Sequence, residues 1–347
     1  MIHWGIIGCG DVTEVKSGPG FQKAKGSALV AVTRRDFAKA EDYARRHGVP
    51  TVHRDADDLI CDARVDAVYI ATPPSSHCDL ALRVADAGKP CLVEKPMALN
   101  HEECERMVAA FRTRGVPLWV AYYRRALPRF LLVRDLLRSG AIGRLTSVHV
   151  EVTDPLANGA QASGWRFDPA VAGAGLFFDL GSHSLDLVDF LAGPIERVSG
   201  FAANTGGTYG AEDVTVASYL TGEDVPGTGT WNFNADAHRD RIRFVGSEGH
   251  LVTPIFSDSD VVVTRAEQED VHQVRNPPHV HQPLIQSIVD ELQGRGRCES
   301  TGESGARTSW VMDQCVAGYR MAGVGAPTGE PGCKKGRDRQ GDQGLPA

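Results

Sequence analysis

The sequence lacks several features that would place it in a specialised class of protein. None of its 8 cysteines forms a Cys-x-x-Cys pair, which argues against a zinc ribbon or a redox-active disulfide. No apolar run is long enough to span a bilayer, and no basic, apolar leader precedes the first strand. Lys and Arg number 37 against 44 Asp and Glu, so no positive excess favours nucleic acid. We therefore expect a cytoplasmic protein that binds small molecules and neither nucleic acid nor membrane.

The 347 residues and the 42% hydrophobic share are typical of two globular domains. Strand and helix patterns alternate over residues 1–123, which predicts an α/β domain with a parallel sheet. Residues 124–324 carry many short alternating segments and two closing helices, which predicts an α+β domain with a largely antiparallel open sheet. Residues 325–347 are rich in Gly, Pro and charged residues without an aromatic, and are predicted to be a disordered tail.

A glycine turn follows the first strand. The short apolar run Ile6-Ile7 leads into Gly8-Cys9-Gly10, and a helical segment is predicted from there to Gly18-Pro19. The first glycine permits a sharp turn, and the second lets a pyrophosphate approach the backbone. The third glycine of the usual pattern is replaced by Thr13, and the alternative is an ordinary tight turn. This context predicts a Rossmann dinucleotide-binding domain, whose first cofactor contacts would be Gly8, Cys9, Gly10, Asp11 and Val12.

The residues after the second strand bear on the choice of cofactor. The run Ala28–Thr33 ends in Arg34, Arg35 and Asp36. At this place an arginine would accept the 2′-phosphate of NADP, whereas an acidic residue would bind the ribose of NAD. The two arginines come first, so we predict NADP, with NAD possible. Asp36 is equally well placed to cap the predicted helix Phe37–His47.

Ligands of parallel sheets bind beyond the carboxyl ends of the strands. Several polar or glycine residues follow the predicted strands at this edge, although they are far apart in sequence. We expect them to gather into one site; they are Gly8, Arg34, Thr72, Glu94, Lys95 and Tyr122.

Three segments together resemble the glucose–fructose oxidoreductase, inositol dehydrogenase and MocA (Gfo/Idh/MocA) family. They are the glycine turn, Ala71–His77 and Glu94-Lys95-Pro96. Further along, Gly164-Trp165-Arg166 and Asp179–Asp186 resemble segments of that family's second domain. The resemblance covers residue 2 to about residue 320. It implies an NAD(P)-dependent oxidoreductase acting on a secondary alcohol or ketone of a sugar, cyclitol or dihydrodiol.

The resemblance also implies roles for individual residues. Lys95 matches the catalytic lysine of the family, His183 its acid/base, and Asp179 the carboxylate that precedes it. Further cofactor contacts are predicted at Thr72, Pro73, His77, Glu94, Lys95, Trp165 and Arg166. Substrate contacts are predicted at Tyr122, Arg124, Asp179 and His183. No metal site is predicted; two histidines, His279 and His281, are interpreted as surface residues because zinc needs three or four ligands.

The second domain offers a loop and a helix for the site. The polar, glycine-rich segment 154–174 is long enough to be a functional cover, although Trp165 within it fits core packing equally well. A helix is predicted over Leu180–Leu191, flanked by apolar residues. Asp179, His183 and Asp186 would share its buried face, with the first carboxylate orienting the histidine ring.

Two other functions remain open at this point. Some relatives cleave glycosidic bonds by transient oxidation and would retain their cofactor without net turnover. A non-enzymatic cofactor-binding sensor is the other alternative, although both Lys95 and His183 are present. In the family arrangement, the open face of the second sheet builds the oligomer, so a homodimer or homotetramer is expected.

Overall fold

The computed structural model describes residues 1–155 and 164–321, and one parallel sheet organises its first part. The strands are β1 (Ile2–Ile7), β2 (Ser27–Thr33), β3 (Thr51–His53), β4 (Ala67–Ile70), β5 (Cys91–Val93) and β6 (Leu118–Val120). They lie in the order β3-β2-β1-β4-β5-β6, with every adjacent pair parallel. The strand order reverses beside β1, which opens a crevice at the carboxyl ends of β1 and β4. The predicted Rossmann architecture is confirmed.

Local chemistry sets the helix boundaries around this sheet. The helices are α1 (Asp11–Val15), α2 (Gly18–Lys23), α3 (Phe37–His47), α4 (Ala56–Cys61), α5 (His77–Asp86) and α6 (His101–Arg114). The Asp36 carboxylate accepts from the Lys39 amide at the start of α3, as an N-cap does. Gly48 ends α3 in the left-handed region. The predicted capping role of Asp36 is confirmed.

The first predicted helix was wrong in its extent. Instead of running on to Gly18-Pro19, α1 ends at Val15 and α2 begins at Gly18. Thr13 is buried, and its hydroxyl donates to the Gly10 carbonyl over 2.7 Å. A Cβ on Gly18 would lie 2.2 Å from both the Thr13 carbonyl oxygen and the Tyr43 hydroxyl. The close approach that a third glycine would permit at Thr13 is therefore provided at Gly18, where the chain restarts its helix.

A second, mixed sheet follows. Its strands are β7 (Leu145–Thr153), β8 (Ile195–Ala203), β9 (Val214–Thr221), β10 (Pro226–Asn232), β11 (Arg239–Gly246), β12 (His250–Thr253), β13 (Val261–Arg265) and β14 (Gln268–His272). Their order is β14-β13-β12-β11-β7-β10-β9-β8, and only the β7–β10 pair is parallel. The largely antiparallel sheet is confirmed. The last strand, β14, follows β13 through a tight turn at Ala266-Glu267, both with positive φ.

One face of the second sheet is covered and the other is open. The accompanying helices are α7 (Pro128–Arg138), α8 (Pro169–Ala172), α9 (Ser182–Ala192), α10 (Gln282–Leu292) and α11 (Gly302–Met321). Trp231 and Phe244 point to the covered face and are fully buried. Phe201 on β8 and Val216 on β9 lie on the opposite face, 78% and 39% exposed. Within the described ranges, no helix is both long and apolar enough to cross a membrane.

The chain returns to the first sheet near its end. The Val120 amide donates to the Ser300 carbonyl over 3.1 Å, and the Ser300 hydroxyl donates to the Val120 carbonyl over 2.7 Å. Thr301 forms an antiparallel bridge with Trp119. This segment covers the outer edge of β6. The division at residue 123 stays a prediction, and the predicted tail at 325–347 lies outside the described residues.

Candidate active site

The glycine turn leaves an open cradle at the end of β1. Gly8 has φ +91°, and a Cβ there would lie 2.7 Å from the Thr72 methyl, so the turn packs directly on the segment after β4. A Cβ on Gly10 would meet no heavy atom closer than 3.8 Å, which leaves free space in front of the backbone. Asp11 and Val12 begin α1 beside it. The cradle fits the pyrophosphate of a dinucleotide, which needs bare backbone at this place.

Arg34 lies over the glycine turn. Its Nη1 donates to the Cys9 carbonyl over 3.1 Å, and its side chain is half-buried. Arg35 is exposed. The Asp36 carboxylate is used by the helix cap, 3.2 Å from the Lys39 amide. The end of β2 therefore presents arginines rather than a carboxylate.

His77 joins the two strand ends on either side of the crevice. It is fully buried, with Nε2 2.7 Å from the Thr72 carbonyl oxygen and Nδ1 3.1 Å from that of Pro96. Burial lowers the pKa of the ring, although the carbonyls of Thr72, Pro96 and Met97 act to raise it. Pro73 is half-buried and precedes the short turn that leads to α5. The ring holds Thr72 and Pro96 at a fixed separation.

Lys95 is bound by Asp179. The lysine ammonium contacts the Asp179 carboxylate and donates to the Asp179 carbonyl over 2.9 Å. Arg166 lies 3.3 Å from the other carboxylate oxygen, and its guanidinium stacks on Trp165 with 4.5 Å to the ring centroid. Burial acts to raise the pKa of Asp179, but Lys95 and Arg166 outweigh it and lower the pKa. The predicted orientation of His183 by this carboxylate is wrong, because the carboxylate is directed to the lysine.

A short π-helix explains where Asp179 points. Residues Phe177–Gly181 form a π-helical turn directly before α9, so the helical run begins ahead of the predicted Leu180. A π-turn carries one extra residue per turn and displaces the preceding side chains around the axis. Asp179 lies inside this turn, whereas His183 lies in regular α-helix.

Glu94 is held by residues from both ends of the chain. Its Oε1 accepts from the Tyr69 hydroxyl and lies 3.1 Å from His281 Nε2, while Oε2 accepts from the Lys95 amide over 3.2 Å. Burial acts to raise the pKa of Glu94, but the bonds from His281 and Tyr69 outweigh it and lower the pKa to about 2. The surface assignment of His281 is wrong; it is 1% exposed and its ring contacts that of Tyr123. His279 is half-buried against the Val15 carbonyl.

His183 is buried in an aromatic pocket. Ring centroids of Tyr122, Tyr123 and Phe256 lie 6.0, 5.6 and 5.9 Å from its own. Its Nδ1 is buried without a hydrogen-bond partner among the described residues. Burial, together with the cations of Arg124 and Lys95, holds its pKa well below the usual range. The ring is therefore neutral at physiological pH.

Asp186 belongs to a separate ion cluster. The Arg125 guanidinium bonds its carboxylate over 2.8–3.0 Å and reaches Asp189 at 2.9 Å. Arg307 completes the cluster by donating to both Asp189 oxygens. The prediction that Asp186 shares the site face with His183 is wrong, because both acids turn to the arginines. They anchor α9 instead.

Of the predicted substrate residues, Tyr122 lies against His183 and Arg124 acts on it electrostatically. Tyr122 is fully buried, and burial raises its pKa well above the ordinary value, so the hydroxyl stays protonated. Arg124 donates its Nε to the Ile255 carbonyl over 2.9 Å, and its guanidinium lies between the rings of Tyr123 and Phe256. Part of the predicted cover, residues 156–163, lies outside the described residues.

Sequence reasoning missed His281, Tyr123 and Phe256. Phe256 and His281 are placed by tertiary contacts from distant segments, whereas Tyr123 directly follows Tyr122 after β6. The loop that carries Phe256 is fixed by Asp240, which accepts from the amides of Ile255, Phe256 and Ser257 over 2.7–2.8 Å. A carboxylate that binds the backbone of a distant loop has no characteristic sequence pattern, so nothing in the sequence indicates the position of Phe256.

Comparison with known proteins agrees with this geometry. Residues 2–122 match the oxidoreductase family with an NAD-binding Rossmann fold, and residues 130–252 match the GFO/IDH/MocA C-terminal domain. The chain is 37% identical to Oxidoreductase P35 of Formosa agariphila over 90% of its length and 97% of the relative. It is 26% identical to the 1,5-anhydro-D-fructose reductase of Ensifer adhaerens over 94% and 97%.

The fold is shared with solved structures. The aldose-aldose oxidoreductase of Caulobacter crescentus superposes with a TM-score of 0.82 at 23% identity, over 92% of this chain and 98% of that one. The two family models cover the parts of the chain that build the site. The first includes the glycine cradle and Glu94–Lys95, and the second includes Asp179 and His183. This chain belongs to the Gfo/Idh/MocA family of NAD(P)-binding oxidoreductases.

Proposed function

We propose that this oxidoreductase interconverts a secondary alcohol and a ketone on a sugar, cyclitol or dihydrodiol, with NADP as its cofactor. The observation that carries the proposal is a lysine fixed by a carboxylate next to a buried, neutral histidine: Lys95 bonded to Asp179, with His183 one helical turn further on. The names of the relatives, a reductase of 1,5-anhydro-D-fructose and an aldose-aldose oxidoreductase, support a sugar-type substrate.

The nicotinamide ring, when bound, accepts or donates the hydride. His183 acts as the base that takes the hydroxyl proton of the alcohol, because its low pKa keeps the ring unprotonated. The Lys95 ammonium donates a hydrogen bond to the same oxygen and stabilises the negative charge that develops there. Asp179 holds Lys95 in position, which replaces the ring-orienting role expected from the sequence.

The cofactor would be held along the crevice of the first sheet. Gly8 to Val12 receive the pyrophosphate, and Thr72 and Pro73 line the opposite wall. Arg34, with Arg35 beside it, is offered to a 2′-phosphate because the Asp36 carboxylate is occupied by the α3 cap. His77 and Glu94 act indirectly by fixing Thr72 and Lys95. Trp165 and Arg166 close the site over Asp179.

The test is a screen of the purified protein against polyols, sugars and dihydrodiols with NADP and NAD, followed by cofactor absorbance. We expect NADP-dependent turnover with at least one substrate and none with Lys95→Ala. Cofactor that stays bound through purification without net turnover would instead favour the transient-redox relatives. A protein that binds NADP but transforms no compound would favour the sensor.

We also propose that the open face of the second sheet is the interface through which the protein forms a homodimer or a homotetramer. An apolar side chain as exposed as Phe201, at 78%, marks an association surface when neighbours such as Val216 extend it. Size-exclusion chromatography with light scattering should show an oligomer that Phe201→Glu dissociates. A monomeric wild type would contradict this assignment.

The cytoplasm is the proposed compartment. Cysteines in the described residues, including the exposed Cys61, are free thiols, which persist in a reducing environment. Fractionation of expressing cells with thiol labelling would test the assignment, since recovery from an oxidising compartment would contradict it.

A further inference from the structure

Arg124 is a buried cation without a counter-ion. It is 6% exposed, and its Nη1 is buried without a hydrogen-bond partner. Its Nε bonds the Ile255 carbonyl, and the rings of Tyr123 and Phe256 lie 4.8 and 4.7 Å from the guanidinium carbon. No carboxylate of the described residues forms an ion pair with it. Burying a charge in this manner is unfavourable unless a partner is supplied.

Neighbouring arginines show what a purely structural guanidinium looks like in this protein. Arg125, equally buried, bonds the carboxylates of Asp186 and Asp189. Arg129 bonds the carbonyls of Ser257 and Ser259 through Nη1, although its Nε has no hydrogen-bond partner among the described residues. Arg124 makes one carbonyl contact, through Nε only. Its Nη1 is therefore the nitrogen that the fold leaves for a ligand.

The position of Arg124 relates it to the reacting group. After burial, Arg124 is the largest influence that lowers the pKa of His183, followed by Lys95. The nearby carboxylates are already used, Asp179 by Lys95 and Arg166, and Glu94 by Tyr69 and His281. The surroundings of His183 are thus electropositive, which favours an anionic ligand.

We propose that the natural substrate carries an anionic group, a carboxylate or a phosphate, that pairs with the Arg124 guanidinium while its secondary alcohol reacts at His183. This inference rests on the proposed function and narrows it to acidic sugars or sugar phosphates. Arginine suits the task because its fork binds either group through two parallel hydrogen bonds. Phe256 lies partly exposed beside the guanidinium and would contact the apolar face of the sugar ring that carries the anionic group.

The experiment compares neutral sugars with their own acids at saturating NADP. The probes are D-glucose, D-glucuronate and D-glucose 6-phosphate, and the same set built on D-galactose. We expect kcat/KM to be roughly ten- to a hundredfold higher for one acidic member than for its neutral parent, the range of a charge-assisted bond. Arg124→Gln should reduce that ratio towards one, and Arg124→Lys should restore part of it. Arg134→Gln, which removes a charge from α7 at a half-exposed site, is the matched control and should keep the ratio.

The outcomes separate this inference from the proposed function. Equal or better use of the neutral members overturns the anionic group but leaves the oxidoreductase assignment intact. If nothing is turned over, titration calorimetry of the NADP-loaded protein with D-glucuronate and glucose 6-phosphate decides. If these compounds bind to the wild type and not to Arg124→Gln, the anionic group is supported, although the proposed oxidoreductase activity on these substrates is not. Absence of both turnover and binding, or loss of NADP affinity in Arg124→Gln, overturns it.

Discussion

The helical run from Phe177 to Ala192 carries ionisable side chains that the fold treats in two different ways. At its far end, Asp186 and Asp189 are bonded by Arg125 and Arg307, and each carboxylate has a guanidinium partner. At its near end, His183 has a buried nitrogen without a partner in the described residues. Completely partnered ions hold the helix in place, whereas incompletely partnered groups are available to a ligand.

The contrast shows which property distinguishes structural from functional charge in this protein. Spacing does not, because Asp179, His183 and Asp186 are separated by four and three residues and were expected on one face. Burial does not either, since Arg124 and Arg125 are each 6% exposed. What differs is the number of hydrogen bonds that the fold itself provides.

Removing the structural arginine should give the largest effect. Arg125→Gln leaves the buried Asp186 carboxylate without a guanidinium partner and Asp189 with that of Arg307 alone, so the free energy of unfolding should fall by roughly 3–5 kcal/mol. Urea unfolding followed by circular dichroism measures it. Arg124→Gln is the matched variant, with the same exposure and no ion pair, and should lose much less. Equal losses of unfolding free energy in the two variants would show that the ion pairs of Arg125 do not distinguish it from Arg124.

Removing the functional groups should affect rate rather than stability. Lys95→Ala and His183→Ala should each lower turnover by roughly a hundredfold or more, the scale of one acid/base or one electrostatic group. Steady-state kinetics with NADP titration by fluorescence checks this, and NADP affinity should change little. Lys39→Ala, an exposed lysine on α3, is the control. If His183→Ala keeps more than half of the turnover while Lys95→Ala is inactive, Lys95 is the acid/base and His183 positions the substrate.

The same criterion applies to Arg34 in the first sheet, which bonds one carbonyl and has no carboxylate partner among the described residues. Arg34→Asp should weaken NADP by roughly tenfold or more, since about 1.4 kcal/mol is one decade. NAD should be affected less. Isothermal titration with both cofactors is the measurement. A wild type that prefers NAD would show that this arginine is not a phosphate ligand.

The smallest expected effect is on the pH profile. Alcohol oxidation needs neutral His183, whose folded pKa lies well below 6.5, so turnover should persist as pH falls through 6.5 and decline only at more acidic values. Removing the Arg124 charge should raise that pKa and move the acidic limb upward, while Lys95, His281 and Lys16 still act on the ring. Stopped-flow rates between pH 5 and 8 (a range of roughly three units around the free histidine value) would record the shift. If the acidic side of the pH profile is unchanged in Arg124→Gln, the charge of Arg124 does not influence the pKa of His183.

Much of the first sheet could be predicted because its signals are local. Apolar runs, the glycine turn and the Asp36 cap lie within a few residues of the structure they specify. The partners of Asp179 and Glu94 could not be predicted, because a π-turn and a helix nearly 190 residues away bring them in. The break between α1 and α2 depended on Tyr43 packing against Thr13 and Gly18, a contact that spacing does not reveal.

The segment at Ser300 and Thr301 has a consequence for modularity. It pairs with Val120 and Trp119 along a strand that would otherwise end the first sheet with unsatisfied amides and carbonyls. A strand edge of that kind recruits other chains and promotes aggregation. The nucleotide-binding half therefore cannot be excised as an autonomous cassette ending near residue 123. A fusion protein that contains this half must also contain the segment around Ser300 and Thr301, because that segment covers the exposed edge of β6.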